Sequence, residues 1–179
     1  LKNQFRFLTL SAWYPHKNLS IIPKVLDILI KKGHTNIVFV VTLPKEDMAK
    51  LCFVDKYEGQ LINTGPVKVE EGASLYQECD AMFLPTLLEC FSASYAEAMK
   101  LKKPIITSDM GFAHTVCKDA ALYVNSMDAD DIASKIIELS TSYELQQDLV
   151  SKGVKRLEVF GSSHDRAKRY LEICEALIK

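Results

Sequence analysis

Glu89 and Glu97 stand on either side of a short turn and the opening of a helix, within the stretch Pro85 to Asp109, PTLLECFSASYAEAMKLKKPIITSD. A carboxylate accepts several hydrogen bonds at once, which suits hydroxyl groups, and the free N–H groups of a helix start suit phosphate. Two carboxylates around such N–H groups make a pocket for a ligand that carries both.

The neighbouring elements must position that turn. Ala81 to Leu84 is a short apolar run and reads as a buried strand of a parallel sheet, ended by Pro85. Ser92 can cap a helix over about Ala93 to Leu101, with Glu97 roughly one turn from its start. Lys102 and Lys103 suit the negative end of that helix, and Pro104 opens a further strand, Pro104 to Thr107. Strand, turn, helix and strand form one βαβ unit, and in open α/β sheets ligands gather at the carboxyl ends of the strands.

These residues resemble the donor-binding half of a GT-B glycosyltransferase of family 4, also called group 1. That family's wording is close to PS-x-x-E-G-F-G-x-x-x-x-E-A-M followed by a strand and S-D-x-G, and this chain reads PTLLECFSASYAEAM and then ITSDMG. Tyr14-Pro15-His16-Lys17-Asn18-Leu19 is similar to its P-x-K-N-L segment. Asn63-Thr64-Gly65-Pro66-Val67 is similar to its G-x-V turn, before a helix with Leu75, Tyr76 and Asp80. Asp119 to Val124 is similar to its G-D-A-A-L-x-V strand.

The resemblance implies a retaining enzyme that moves a hexose from a nucleotide-sugar to a glycan, a lipid-linked sugar or a small acceptor. It gives Glu97 the ribose hydroxyls, Glu89 the donor sugar near its reaction centre, and Lys17 the diphosphate. Phe91 and Ser92 would offer backbone N–H groups. Alone, each of these residues reads more blandly: the glutamates as surface charge, Lys17 as a solvated cation, Ser92 as an ordinary cap. Departures from the pattern are expected to matter. Cys90 and Ser92 replace both glycines of the E-G-F-G turn, where glycine lets a backbone approach the donor closely. Ser11-Ala12 replaces the usual G-R, Thr115 stands where a glutamate is common, and Lys118 where a glycine is. They keep open a second reading, a regulatory or binding module that no longer transfers, and a third, another GT-B enzyme such as a nucleotide-sugar epimerase.

A chain of 179 residues amounts to about one domain. The expectation is a single C-terminal nucleotide-sugar-binding domain, with the N-terminal acceptor domain absent and little transfer by this part alone. The composition, 48% hydrophobic and 25% charged, suits a soluble domain with a real core. A net charge of −1 argues against a broad nucleic-acid footprint. The sequence shows neither a membrane-spanning run nor a leader pattern, so a cytoplasmic location is expected, with room for peripheral membrane association of the full-length enzyme. Cys52, Cys79, Cys90, Cys117 and Cys174 are odd in number and form no CxxC, which favours reduced, mostly buried thiols. No cluster has metal spacing, and the resemblance implies no cofactor and no essential metal.

The remaining pattern alternates strand and helix, predicting a Rossmann-like parallel sheet of about six strands with helices on both faces. The other strands are Phe5 to Leu10, Ile37 to Thr42, Leu61 to Asn63 and Leu122 to Val124. A helix over about Asn18 to Lys32 ends at Gly33, with Pro23 forcing a kink or a late start. Asp128 caps a helix reaching Leu139. In a last helix, begun by Ser162 and Asp165, the stripe Ala167, Tyr170, Leu171, Cys174, Leu177 and Ile178 most simply packs on the sheet, although in the family such a helix can cross to the first domain. His114 is placed near the pocket rim and His16 beside Lys17, while His34 and His164 carry no signal.

Overall fold

Six parallel strands form one sheet, in a computed structural model that describes residues 4–51 and 54–178. The strands are β1 (Phe5–Thr9), β2 (Ile37–Val41), β3 (Leu61–Asn63), β4 (Ala81–Leu84), β5 (Ile105–Ser108) and β6 (Leu122–Val124), in the order β3-β2-β1-β4-β5-β6. Phe7 lies opposite both Phe39 on β2 and Ala81 on β4, and Ile106 of β5 opposite Leu122 of β6. β2 and β4 are buried at every position, as expected of apolar runs covered on both faces.

The helices are α1 (Ile22–Lys31), α2 (Lys45–Leu51), α3 (Val69–Gln77), α4 (Ala93–Lys100), α5 (Gly111–Cys117), α6 (Ala129–Thr141), α7 (Tyr143–Leu157) and α8 (Ser163–Ile178). Strand alternation sends Phe7, Phe39 and Phe83 to one face, where they meet Ile22, Val25 and Leu26 of α1 and Ile132 and Ile136 of α6. Leu8, Val40 and Met82 point to the other, against Tyr76 of α3, Tyr95 and Met99 of α4, and Val116 of α5. The aromatic rings of the first face interlock, Phe39 standing edge-on to Phe83 at 5.4 Å.

Several boundaries differ from the sequence expectation. The first helix begins late, because Pro15–Lys17 and Leu19–Ile21 form two 3₁₀ turns around Asn18, whose backbone is left-handed at φ 54°. Pro23 then sits harmlessly in the first turn of α1. Gly33, at φ 84°, closes that helix, with His34 N–H reaching back to Leu29 C=O at 2.9 Å. The strand expected from Pro104 is shifted by one residue to Ile105–Ser108. α2 and α5 were not anticipated at all. Asp128 does cap α6, accepting from the N–H groups of Asp130 and Asp131, and the Ser162–Asp165 capping exchange is present at the start of α8.

The stripe on α8 is a correction. It does not pack on the sheet: Tyr170 and Leu171 are exposed, and Leu177 and Ile178 keep 82% and 85% of their surface. Cysteines divide evenly rather than falling mostly inside. Cys79 and Cys117 are buried, Cys90 and Cys174 exposed, all four reduced, and Cys52 lies outside the described residues.

Candidate active site

In the order β3-β2-β1-β4-β5-β6, chain direction across the sheet reverses between β1 and β4, so the segments leaving those two strands diverge and open a crevice at their carboxyl ends. Lys17 lies on the segment after β1 and Glu89 on the segment after β4. Their side chains meet: Lys17 Nζ donates to Glu89 Oε1, with 17% and 11% of the two side chains exposed. The two segments are also zipped by their backbones, Leu87 N–H donating to His16 C=O at 2.7 Å. An ammonium has three donors and a carboxylate accepts at two oxygens, so the pair leaves both groups with bonding capacity for a ligand.

Glu97, one turn into α4, faces a different wall. It borders a cavity of about 380 Å³ together with Leu10, Val67, Gly72, Tyr76 and Leu101. A second hollow of about 300 Å³ shares Leu10 and Val67 and runs past Ser11, Ala12 and Thr42 at the ends of β1 and β2. Burial, and next the charge of Glu97, push the Tyr76 hydroxyl above its ordinary range, so it stays a neutral donor, directed at Ser94 C=O 3.3 Å away. The cavity is thus apolar over most of its wall, with Glu97, Lys68 and Lys100 as its charged lining.

Ser92 stands at the N-cap of α4 but makes no side-chain capping bond, which leaves the first-turn N–H groups of α4 uncapped by its hydroxyl. Neither Cys90 nor Ser92 has positive φ, Ser92 lying at φ −100° and ψ 118°. Loss of the two glycines therefore introduces no backbone strain. Cys90 is exposed beside Glu89. Phe91 is exposed and stands edge-on to Phe160 at 6.3 Å, and Phe160 in turn lies under the Arg156 guanidinium at 5.1 Å.

His114 is held by protein groups. Its Nε2 lies 2.5 Å from Asp109 Oδ1 and its ring stacks on Tyr123 at 3.8 Å. His16 stacks on Tyr14 at 5.6 Å, beside Lys17. Thr115 bonds its own helix, to Gly111 C=O at 2.8 Å, and Lys118 adopts the positive φ of 53° that a glycine takes easily. Among the described residues, no group of three or more His, Cys, Asp or Glu side chains could hold a metal ion.

Sequence reasoning missed the groups that tie these segments together: Asn18, Thr86, Ser108 and Ser126. Asn18 carried a signal, since asparagine tolerates the left-handed region better than other side chains. Thr86 and Ser108 stand in the quoted motifs, but nothing in a single sequence shows that the three hydroxyls bond to one another.

The parallel α/β domain, with polar groups at the carboxyl end of its sheet, matches one half of a GT-B glycosyltransferase fold in the solved structures it resembles. The chain belongs to the family of glycosyl transferases group 1, whose pattern matches residues 1–156. It is 30% identical over 142 residues to the O-antigen chain mannosyltransferase RfbU of Salmonella typhimurium, covering 73% of this chain and 37% of that protein. A crystal structure of a TarM mutant of S. aureus in complex with Fondaparinux, alpha-GlcNAc-glycerol and UDP is similar at TM-score 0.82 and 17% identity, over 95% of this chain and 35% of that one. Sucrose-phosphate synthase from Thermosynechococcus elongatus is similar at TM-score 0.82 and 16% identity, over 99% of this chain and 46% of that one. The chain thus spans little more than a third of the length of the mannosyltransferase it matches.

Proposed function

We propose that this chain is the donor-binding part of a retaining hexosyltransferase that draws on a nucleotide-sugar. The observation that carries the reading is the meeting of Lys17 and Glu89 in the crevice between β1 and β4, with Glu97 edging a separate cavity that includes Leu10, just after β1. Glu97 accepts hydrogen bonds from the ribose hydroxyls, and the apolar wall takes the base. Lys17 and the uncapped first turn of α4 hold the diphosphate and offset the charge that grows on it as the sugar leaves, an electrostatic role worth several kcal/mol in transferases generally. Glu89 keeps the Lys17 ammonium in place and faces the transferred sugar. Phe91, Ser92 and Cys90 border the sugar from the turn before α4.

The mannosyltransferase relative supports mannose as one candidate hexose, and the UDP held in the TarM complex supports a nucleotide-bearing ligand. Ordinary φ at Cys90 and Ser92 favours transfer over a module that only binds.

Transfer needs donor and acceptor held at near-attack distance, and two closing domains supply that. Nucleotide-sugars screened by thermal shift should therefore stabilise this chain while glycosylation stays at background, and activity should appear once an upstream domain of similar size is joined. Robust turnover by residues 1–179 alone would overturn the half-enzyme reading. A joined protein that binds donor and transfers to no acceptor would support the regulatory alternative.

A further inference from the structure

We propose that a closed ring of hydrogen bonds, made by the half-buried Asn18 and the buried Thr86, Ser108 and Ser126, is the frame that positions Lys17 against Glu89; the inference rests on the donor-site reading above. The left-handed turn at Asn18 aims its amide inward, where Nδ2 donates to Ser126 C=O at 2.7 Å and faces Pro85 C=O at 3.3 Å. Ser126 Oγ donates to Ser108 Oγ at 2.5 Å, and Ser108 Oγ donates to Thr86 C=O. The Thr86 hydroxyl faces His16 C=O at 3.0 Å and Leu88 C=O at 3.2 Å. His16 lies two residues before Asn18, so the ring closes on the segment that carries Lys17.

Thr86 and Ser108 are fully buried and Ser126 is 3% exposed. A buried hydroxyl is costly unless it is bonded, and here each has its partner within the ring. The ring joins the carboxyl ends of β4, β5 and β6 to the segment after β1. Lys17 sits between two ring members, His16 and Asn18, and Glu89 directly follows Leu88, whose carbonyl the ring also faces. None of the four residues lines the Glu97 cavity or its neighbour, so they act through Lys17 and Glu89 and are positioning residues.

The test compares UDP and GDP with uridine and guanosine as calorimetric ligands for wild type, Thr86→Val, Thr86→Ser and Ser108→Ala. Valine keeps the shape of threonine without its hydroxyl, and serine keeps the hydroxyl. Thr86→Val, which loses one neutral hydrogen bond, should weaken the diphosphate about threefold to tenfold, Ser108→Ala, which loses two, at least as much, and both should leave the nucleoside within about twofold. Thr86→Ser should retain wild-type binding. Unchanged diphosphate affinity in folded Thr86→Val and Ser108→Ala would overturn the proposal, as would equal losses for nucleoside and diphosphate. Failure of both variants to fold would make the ring a stability element and overturn it too. Wild type that binds none of the four ligands would instead remove the donor-site reading, and the ring's role with it.

Discussion

Lys17 and Glu89 lie 72 residues apart in the chain and form an ion pair, largely covered by protein, across the seam where β1 meets β4. An ion pair so placed holds the two segments together and charges the crevice between them. Removing one member leaves the other charge covered and unpaired, which costs more than removing both.

Stability follows from that asymmetry. Lys17→Met should destabilise the fold by about 1–3 kcal/mol, and adding Glu89→Gln should recover part of the loss. Urea denaturation of the two single variants and the double variant measures the coupling. Strictly additive effects would mean that the pair contributes nothing as a pair.

Thiol reactivity separates the cysteines. Burial pushes the Cys79 thiol up to about 11 and the Cys117 thiol up to about 12, so both remain protonated and slow to alkylate at mildly alkaline pH. Among the described cysteines, Cys90 and Cys174 should label first in the folded protein, followed by mass spectrometry of peptides. Cys90 lies in the turn before α4, so nucleotide-sugar should protect it and leave Cys174 untouched. Equal labelling of Cys90 with and without every donor tried would take that turn out of the site.

An acid limb is expected from α1. A hydrogen bond from Lys56, opposed by slight burial and joined by one from Tyr57, holds the Asp27 carboxyl below its ordinary range. A depressed folded value means the stabilisation is complete above the unfolded value, about pH 3.9, and is lost as pH falls through the folded value. The stability difference between wild type and Asp27→Asn should be constant near neutrality and vanish in strong acid. Its size is modest, because the pair is exposed. A difference that grows as pH falls would contradict the assignment.

Metal removal gives a fourth check. If Lys17 and the first turn of α4 are the diphosphate's contacts, EDTA should leave nucleoside diphosphate affinity unchanged in calorimetry. A large loss restored by Mg²⁺ would require a metal bridge at the phosphates.

Much of the fold was legible because buried parallel strands are short apolar runs: IVFVV at β2 and AMFL at β4 can hardly read otherwise. Helices failed where they were short or polar. α2 has seven residues with only Met48 and Leu51 buried, too short an apolar face for its acidic first turn and Lys50 to be read as helix ends, and α5 opens on glycine and is followed by a lysine at positive φ. The stripe on α8 was legible as a stripe, but periodicity says which side of a helix is apolar, never what covers it. Lys17, Glu89 and Glu97 were visible through motif wording. The bonds among Thr86, Ser108 and Ser126 were not, although the first two stand in that wording, because partners depend on strand order, which brings together segments 18, 22 and 70 residues apart.

The central claim is a donor site divided between Glu97 for the ribose and Lys17 for the diphosphate. Calorimetric titration of wild type, Glu97→Ala and Lys17→Ala with a nucleoside diphosphate and its parent nucleoside tests it most directly. Glu97→Ala should lose about 1.5–3 kcal/mol for both ligands, the range for hydrogen bonds to a charged group. Lys17→Ala should lose affinity for the diphosphate alone, and that loss should shrink as salt rises. Wild-type affinity in a folded Glu97→Ala variant, or equal losses of nucleoside and diphosphate in Lys17→Ala, would contradict the account.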